Sequence, residues 1–273
     1  MEPLADARWL LENIEDARVR VIDFRVYLDG RSGLEAYRSG HIPGAVFVDL
    51  EGEVTGRRPG AGRHPLPDRE AFQRAMRAAG VNRDTPVVVY DNQGGSHAAR
   101  LWWLLRYFGH DAAALLDGGL GAWPGGLAGG DEVAPAGDFV AAEPRLDMKL
   151  DYEAVRELAG PSVLIDARAP QRYRGELEPL DPVAGHIPGA RSVPWEETLG
   201  PDGRLKAPEQ LRRQFAAAGV DDGSNAVAYC GSGVTACLDL LALEVAGLHG
   251  ARLYPGSWSD WSSRPGAPVA VGG

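Results

Sequence analysis

The sequence predicts an α/β protein made of two tandem copies of one unit, each a mainly parallel sheet flanked by helices. Three observations carry this. The pentapeptide HIPGA occurs at residues 41–45 and again at 186–190, an offset of 145. In the first half, short Val- and Ile-rich runs alternate with amphipathic segments, the pattern of a parallel sheet with helical crossovers, and the second half repeats its landmarks. Finally, 273 residues correspond to two domains at about 150 each. With 36 Gly and 20 Pro, about a fifth of the chain, the composition excludes a coiled coil and favours many short elements.

In chain order, residues 19–25 read as the first strand, the run VIDFR closing in Asp23-x-Arg25. HIPGA follows, and 45–50 reads as the second strand. A helix is expected near 67–79, where Phe72 and Met76 mark one face and Gly80 ends it. VVVYD makes 87–91 a strand, 95–108 a helix and 113–117 another strand, before a turn at Gly119 with Trp123 close behind. PGGLAGGDEVAPAG, residues 124–137, has no periodicity and reads as the joint between copies. The expected division is an N-terminal domain 1–126, a linker 127–145 and a C-terminal domain 146–273. The second half repeats the landmarks: LIDAR with Asp166 and Arg168, HIPGA, a helical face of Leu211 and Phe215 before Gly219, AVAYC up to Cys230, and Gly256 with Trp261.

Composition narrows the partners. Lys and Arg total 28 against 38 Asp and Glu, a net charge of −10, so the basic surface that a phosphate backbone needs is not expected. Two cysteines, Cys230 and Cys237, are too few for a disulfide-stapled secreted scaffold and point to a reducing compartment. The N-terminus carries acids where a signal peptide needs a basic start, and charge interrupts every long apolar run. The expectation is a soluble, cytoplasmic protein that engages neither nucleic acid nor membrane.

The chemistry is expected where the copies differ. At the end of the third predicted strand, the carboxyl edge where open α/β sheets bind ligands, one copy has Asp91-Asn-Gln-Gly-Gly-Ser and the other Cys230-Gly-Ser-Gly-Val-Thr. Only the second supplies a nucleophile. A thiol of pKa about 8.5 is only about 3% thiolate at pH 7, and lowering it to about 6.5 needs about 2.7 kcal/mol of preferential stabilisation of the anion. A helix N-terminus and the N–H groups of a glycine-rich loop can supply that. The alternative, a structural cysteine ending a strand, is the default for an isolated residue; the glycines and the strand-loop-helix setting favour the nucleophile. Cys237, in an apolar helical run, reads as core, with a disulfide to Cys230 or a zinc site as weaker alternatives. A Cys-based phosphatase would need Arg six residues after the nucleophile, where this chain has Ala236, so a phosphoryl dianion would lack its clamp.

The duplicated halves, both HIPGA segments, the RYRGE stretch from Arg172 to Glu176, and CGSGVTAC together resemble the tandem-domain sulfurtransferases of the rhodanese family, over nearly the whole chain. The resemblance implies an N-terminal domain that has lost its cysteine, Asp91 standing in its place, and a C-terminal domain whose Cys230 carries sulfur as a persulfide. It implies no cofactor, a small anionic donor such as thiosulfate or 3-mercaptopyruvate, and as acceptor cyanide or a thiol such as thioredoxin. The neutral Gly231-Ser232-Gly233-Val234 resembles the loop of mercaptopyruvate-type relatives, so that donor is slightly favoured; Gly231, Gly233, Val234 and Thr235 are the expected loop contacts. Those relatives hold the donor carboxylate with two arginines. Arg172 matches the first, but Leu180 and Asp181 fall near where the second would be, and Arg174 is the candidate replacement, because in an extended segment residues two apart face one side. A Ser-His-acid arrangement in some relatives maps its serine to Ser232, its histidine to His64 and its acid to Asp49 or Glu51. His41, His186 and the two Asp-x-Arg pairs recur in both copies and read as structural. A thiosulfate:cyanide sulfurtransferase and a non-catalytic persulfide carrier are the alternatives.

Overall fold

Two parallel sheets form, and both put their loops of interest at the carboxyl ends of the strands. The computed structural model describes residues 1–15, 18–58, 60–158 and 160–273. Two compact units divide the chain: unit 1 is Met1–Gly56, Leu66–Arg145 and Pro201–Arg204, and unit 2 is Arg57–Pro65, Leu146–Gly200 and Leu205–Gly273. Unit 2 thus includes a short segment from the first half of the sequence.

Unit 1 contains strands β1 (Leu4–Ala5), β2 (Arg20–Asp23), β3 (Val46–Phe47), β4 (Val87–Tyr90) and β5 (Ala113–Leu116), in the order β1-β5-β4-β2-β3. Its helices are α1 (Ala7–Asn13), α2 (Gly33–Ser39), α3 (Leu50–Glu53), α4 (Arg69–Ala78) and α5 (Ala98–Tyr107). The central strands are buried throughout, as sheets covered on both faces require. Helix α4 starts where Asp68 accepts the N–H of Ala71 at 2.7 Å, buries Phe72, Ala75 and Met76, and is followed by Gly80 at φ +73°.

Three expectations are corrected in detail. The strand expected at 45–50 stops at Phe47, because Asp49 caps α3 by accepting the Gly52 N–H at 2.6 Å. The helix expected from residue 95 starts at Ala98, because residues 92–97 wrap around the Asp91 carboxylate. β1 and α1 lie in a stretch where no element was expected. Residues 124–145 form neither α-helix nor strand; Ala128 makes an isolated antiparallel bridge with His41, and Phe139 is buried.

Unit 2 contains β6 (Val163–Asp166), β7 (Arg191–Ser192), β8 (Ala226–Tyr229) and β9 (Arg252–Leu253), in the order β7-β6-β8-β9, all parallel. Its helices are α6 (Tyr152–Arg156), α7 (Pro170–Tyr173), α8 (Pro208–Ala217), α9 (Ala236–Val245) and α10 (Ser257–Trp261). Leu211 and Phe215 of α8 are buried, and α9 is buried from Ala236 to Leu243.

The repeated motifs do the same work in each unit. Asp23 and Arg25 form a buried ion pair at 2.7 Å, and Arg25 Nη2 also donates to Gly40 O at 2.8 Å; Asp166 and Arg168 pair at 2.6 Å, with Arg168 Nη2 donating to Gly185 O at 2.7 Å. Each arginine therefore ties a strand end to the residue preceding HIPGA. His41 and His186 are buried and stack on Tyr37 and Tyr173 at 4.0 and 3.8 Å, each with Nδ1 against that tyrosine's carbonyl. Among the described residues no helix is long and apolar enough to cross a membrane.

Candidate functional site

Cys230 follows β8 directly, and its loop leads into α9. The loop backbone is held from the other side by α10: Trp258 N–H donates to Cys230 O at 3.0 Å and Ser259 N–H to Gly231 O at 2.9 Å. Cys230 N–H donates to the hydroxyl of Ser257 at 3.1 Å. Ser257 sits at φ +53°, a left-handed conformation that costs an L-residue about 1 kcal/mol and is retained here in a tightly bonded turn.

The loop curls around the sulfur. Gly233 N–H donates to Sγ at 3.2 Å. Burial by itself would push the thiol pKa up, but hydrogen bonds from the Thr235 hydroxyl and from the N–H groups of Ala236, Ser232 and Gly233 outweigh it and hold Cys230 below the ordinary thiol range. Gly233 has φ +78°, and a Cβ there would lie 2.4 Å from Pro255 O, so the turn that aims its N–H inward requires glycine. Val234 is buried and its carbonyl accepts the Cys237 N–H at 3.1 Å. Cys237 is buried and forms no disulfide, its thiol donating to Gly233 O at 3.5 Å.

Cys230 is only 2% exposed, and the groups that hydrogen-bond its sulfur are loop amides and a hydroxyl. Over Gly231, the next residue, stand two guanidiniums. A Cβ on Gly231 would lie 2.8 Å from Arg63 Nη2 and 3.3 Å from Arg172 Nη1. Arg63 was not foreseen from the sequence; its only signal was its place directly before His64. Its backbone N–H donates to Ser259 Oγ at 3.0 Å, which pins the segment to α10. Next to it, His64 Nδ1 lies 2.7 Å from Ser232 Oγ, so the structure brings these two predicted residues together.

Acidic groups surround the arginines. Arg172 binds Glu178 through Nε and Nη2 at 3.1 and 2.6 Å, and Glu178 also accepts from Arg168 at 3.2 Å. Burial tends to raise the Glu178 carboxyl, but Arg172 prevails and holds it below the usual range. Asp181 bridges the pair, one oxygen bonded to Arg63 Nη1 and the other 3.5 Å from Arg172 Nη2. Arg174, expected as the second anion-binding arginine, is not part of this group: its side chain is 36% exposed and bonded to Glu176 at 2.7 and 2.9 Å. The extended geometry assumed for Arg172 and Arg174 does not exist, since Pro170–Tyr173 is a helical turn.

Sequence reasoning also missed Asp239 on α9. It is fully buried, neither carboxylate oxygen has a hydrogen-bond partner among the described residues, and burial, reinforced by the nearby Cys230 thiolate, pushes its carboxyl well above the usual range.

The repeated parallel α/β unit with an anion-holding loop at the carboxyl edge defines the class, and the chain belongs to the rhodanese-like domain family, which matches residues 6–125 and 151–264. Among similar curated proteins, one from Pseudomonas aeruginosa named a probable 3-mercaptopyruvate sulfurtransferase is 44% identical over 98% of both chains. One from Mycobacterium tuberculosis, provisionally named a thiosulfate sulfurtransferase, is 43% identical over 93% of this chain and 91% of its own. The crystal structure of SseA from Escherichia coli superposes with a TM-score of 0.83 at 36% identity, covering 95% of this chain and all of that one.

Proposed function

We propose that this protein is a sulfurtransferase that moves a sulfane sulfur from 3-mercaptopyruvate or thiosulfate through a Cys230 persulfide to a thiol or cyanide acceptor. The observation that carries this is a buried thiol whose pKa is lowered by inward-pointing donors, with two guanidiniums over the adjoining glycine. The names of the relatives point the same way.

The Cys230 thiolate attacks the outer sulfur of the donor. With thiosulfate the S–S bond breaks and its electron pair leaves on sulfite. With 3-mercaptopyruvate the C–S bond breaks and the pair stays on carbon, giving the enolate of pyruvate, which takes a proton. Cys230 is left as Cys–S–S⁻, and cyanide or a thiolate then attacks the terminal sulfur, returning the Cys230 thiolate. The N–H groups of Ser232, Gly233 and Ala236 and the Thr235 hydroxyl stabilise the thiolate in each resting state. Arg172 and Arg63 attract the donor's anionic end. Ser232 and His64 form a proton relay to the enolate carbon.

That relay favours 3-mercaptopyruvate, because sulfite needs no proton in order to leave. The loop itself adds no cation to greet a dianion, which favours the same donor. Intact mass of the full chain after incubation with each donor tests the reading: a gain of about 32 Da, one sulfur, on Cys230 is expected, followed by multiple turnovers with cyanide. One loading per chain without turnover would instead identify a carrier. Arg172→Ala is expected to raise the donor KM about 10- to 150-fold, worth about 1.5–3 kcal/mol; an unchanged KM would remove Arg172 from donor binding.

A further inference from the structure

The charge around Gly231 is balanced in a way that bears on donor choice. Three guanidiniums, Arg63, Arg168 and Arg172, meet three carboxylates, Asp166, Glu178 and Asp181, so the cluster is formally neutral. Asp166 is engaged with Arg168, and Glu178 with both Arg168 and Arg172. Asp181 differs: it spans Arg63 and Arg172, the two groups over Gly231, and its side chain is 4% exposed. It is also held from the backbone, its own N–H donating to Glu178 Oε1 at 3.2 Å.

From this arrangement we infer that Asp181 is a specificity-determining residue, a fixed negative charge shared between Arg63 and Arg172 that offsets part of their positive charge and so selects a monoanionic sulfur donor over a dianionic one. The inference rests on the sulfurtransferase reading and deepens it. Thiosulfate carries two negative charges, and 3-mercaptopyruvate carries one with its thiol protonated. The attacking Cys230 thiolate adds a further negative charge to the neutral cluster. Each charge on the donor feels Asp181 once, so the dianion is disfavoured twice as strongly on a free-energy scale. For a charge about 6 Å from the donor in a medium of effective dielectric about 40–80, the penalty is about three- to tenfold per unit of donor charge.

The test is kcat/KM for both donors, measured on the full chain at one low ionic strength. In Asp181→Asn, which keeps the shape and a hydrogen-bond acceptor, both values are expected to rise and the thiosulfate-to-mercaptopyruvate ratio to rise about three- to tenfold. The gain should shrink in 0.5 M salt, as screening requires. Asp181→Glu retains the charge and should leave the ratio near that of the wild type. Glu176→Gln makes the same charge change on an exposed pair outside the cluster and should leave the ratio unmoved.

Leu180→Lys adds a positive charge on an exposed side chain beside Asp181 without removing an ion pair, and should move the ratio in the same direction even if Asp181→Asn fails to fold. A ratio unchanged in both Asp181→Asn and Leu180→Lys, or both donors altered by a common factor, would overturn the inference and leave Asp181 as a loop anchor. Failure of the wild-type chain to load sulfur from either donor would instead sink the sulfurtransferase reading, and the inference with it.

Discussion

The Asp91 loop and the Cys230 loop are the same backbone device holding different anions. The Asp91 carboxylate accepts four N–H groups: Gln93 and Gly95 at 2.8 Å on one oxygen, His97 at 2.8 Å and Ala98 at 2.9 Å on the other. At an offset of 139 residues, the Cys230 sulfur takes its backbone donors from Ser232, Gly233 and Ala236 and adds the Thr235 hydroxyl. Both loops lead directly into a buried helix, α5 or α9. The cradle is therefore built for a negative charge of either kind, and the occupant decides what it does. A carboxylate saturates the donors and stays; a thiolate held by as many donors remains a strong nucleophile with a lone pair with which to attack. The next residue completes the contrast, since Asn92 donates to the Tyr27 hydroxyl at 3.0 Å, whereas Gly231 leaves room for the guanidiniums of Arg63 and Arg172.

The largest effect that would break this comparison is on chemistry in unit 2. Cys230→Ser should lose at least about 10⁴-fold in sulfur-transfer rate and all mass gain from donors, since the hydroxyl cannot carry sulfur. Cys237→Ser, in the core behind the loop, should still load. Persulfide on any other residue in Cys230→Ser would refute the assignment.

Next is a stability effect in unit 1. Asp91→Ala leaves four N–H groups, three of them buried, without their acceptor and should cost about 3–5 kcal/mol, seen as an earlier urea transition. Cys230→Ser should cost far less, about 1 kcal/mol. Equal losses would mean that the two cradles do not divide stability and chemistry between them.

A smaller effect separates the hydroxyl from the amides. Thr235→Val removes one donor to the sulfur, a hydrogen bond to a charged group worth about 1.5 kcal/mol, and should raise the thiol pKa. The thiolate is present above the folded pKa and lost as pH falls through it, so the pH profile of iodoacetamide alkylation should move to higher pH. Below its midpoint the rate should fall by about tenfold. An unmoved profile would assign the lowered pKa to the backbone alone.

Smallest of all is Asp239, the α9 residue at the position Arg100 takes on α5. Because burial pushes its carboxyl well above the usual range and so disfavours its charged form, Asp239→Asn should leave the alkylation midpoint where it was. A midpoint that falls would show that Asp239 carries charge beside the thiolate.

Much of this was legible in one dimension because it repeats. HIPGA, the Asp-x-Arg pairs and the strand-helix alternation disclose the duplication, and the divergence of Asp91 from Cys230 directs attention to one loop. Ser232 and His64 were legible only as a pair of residue types suggested by resemblance; their 2.7 Å contact required the fold. The replacement arginine was misplaced for a physical reason: reading Arg174 as extended ignored that Pro170 starts a helical turn, which sends Arg174 to Glu176 in solvent.

By itself the sequence determined what local pattern and internal repetition can encode: two α/β units, the thiol at the end of a strand, and glycines free to turn amides inward. Tertiary structure alone decided which charges neighbour that thiol. Arg63 and Asp181 lie 118 residues apart, yet share an ion pair over the loop. The Asp239 carboxyl is pushed up by its burial in the fold, which its neighbours in sequence do not specify. Electrostatic energy depends on separation and burial in space, and neither quantity is written in the order of residues along the chain.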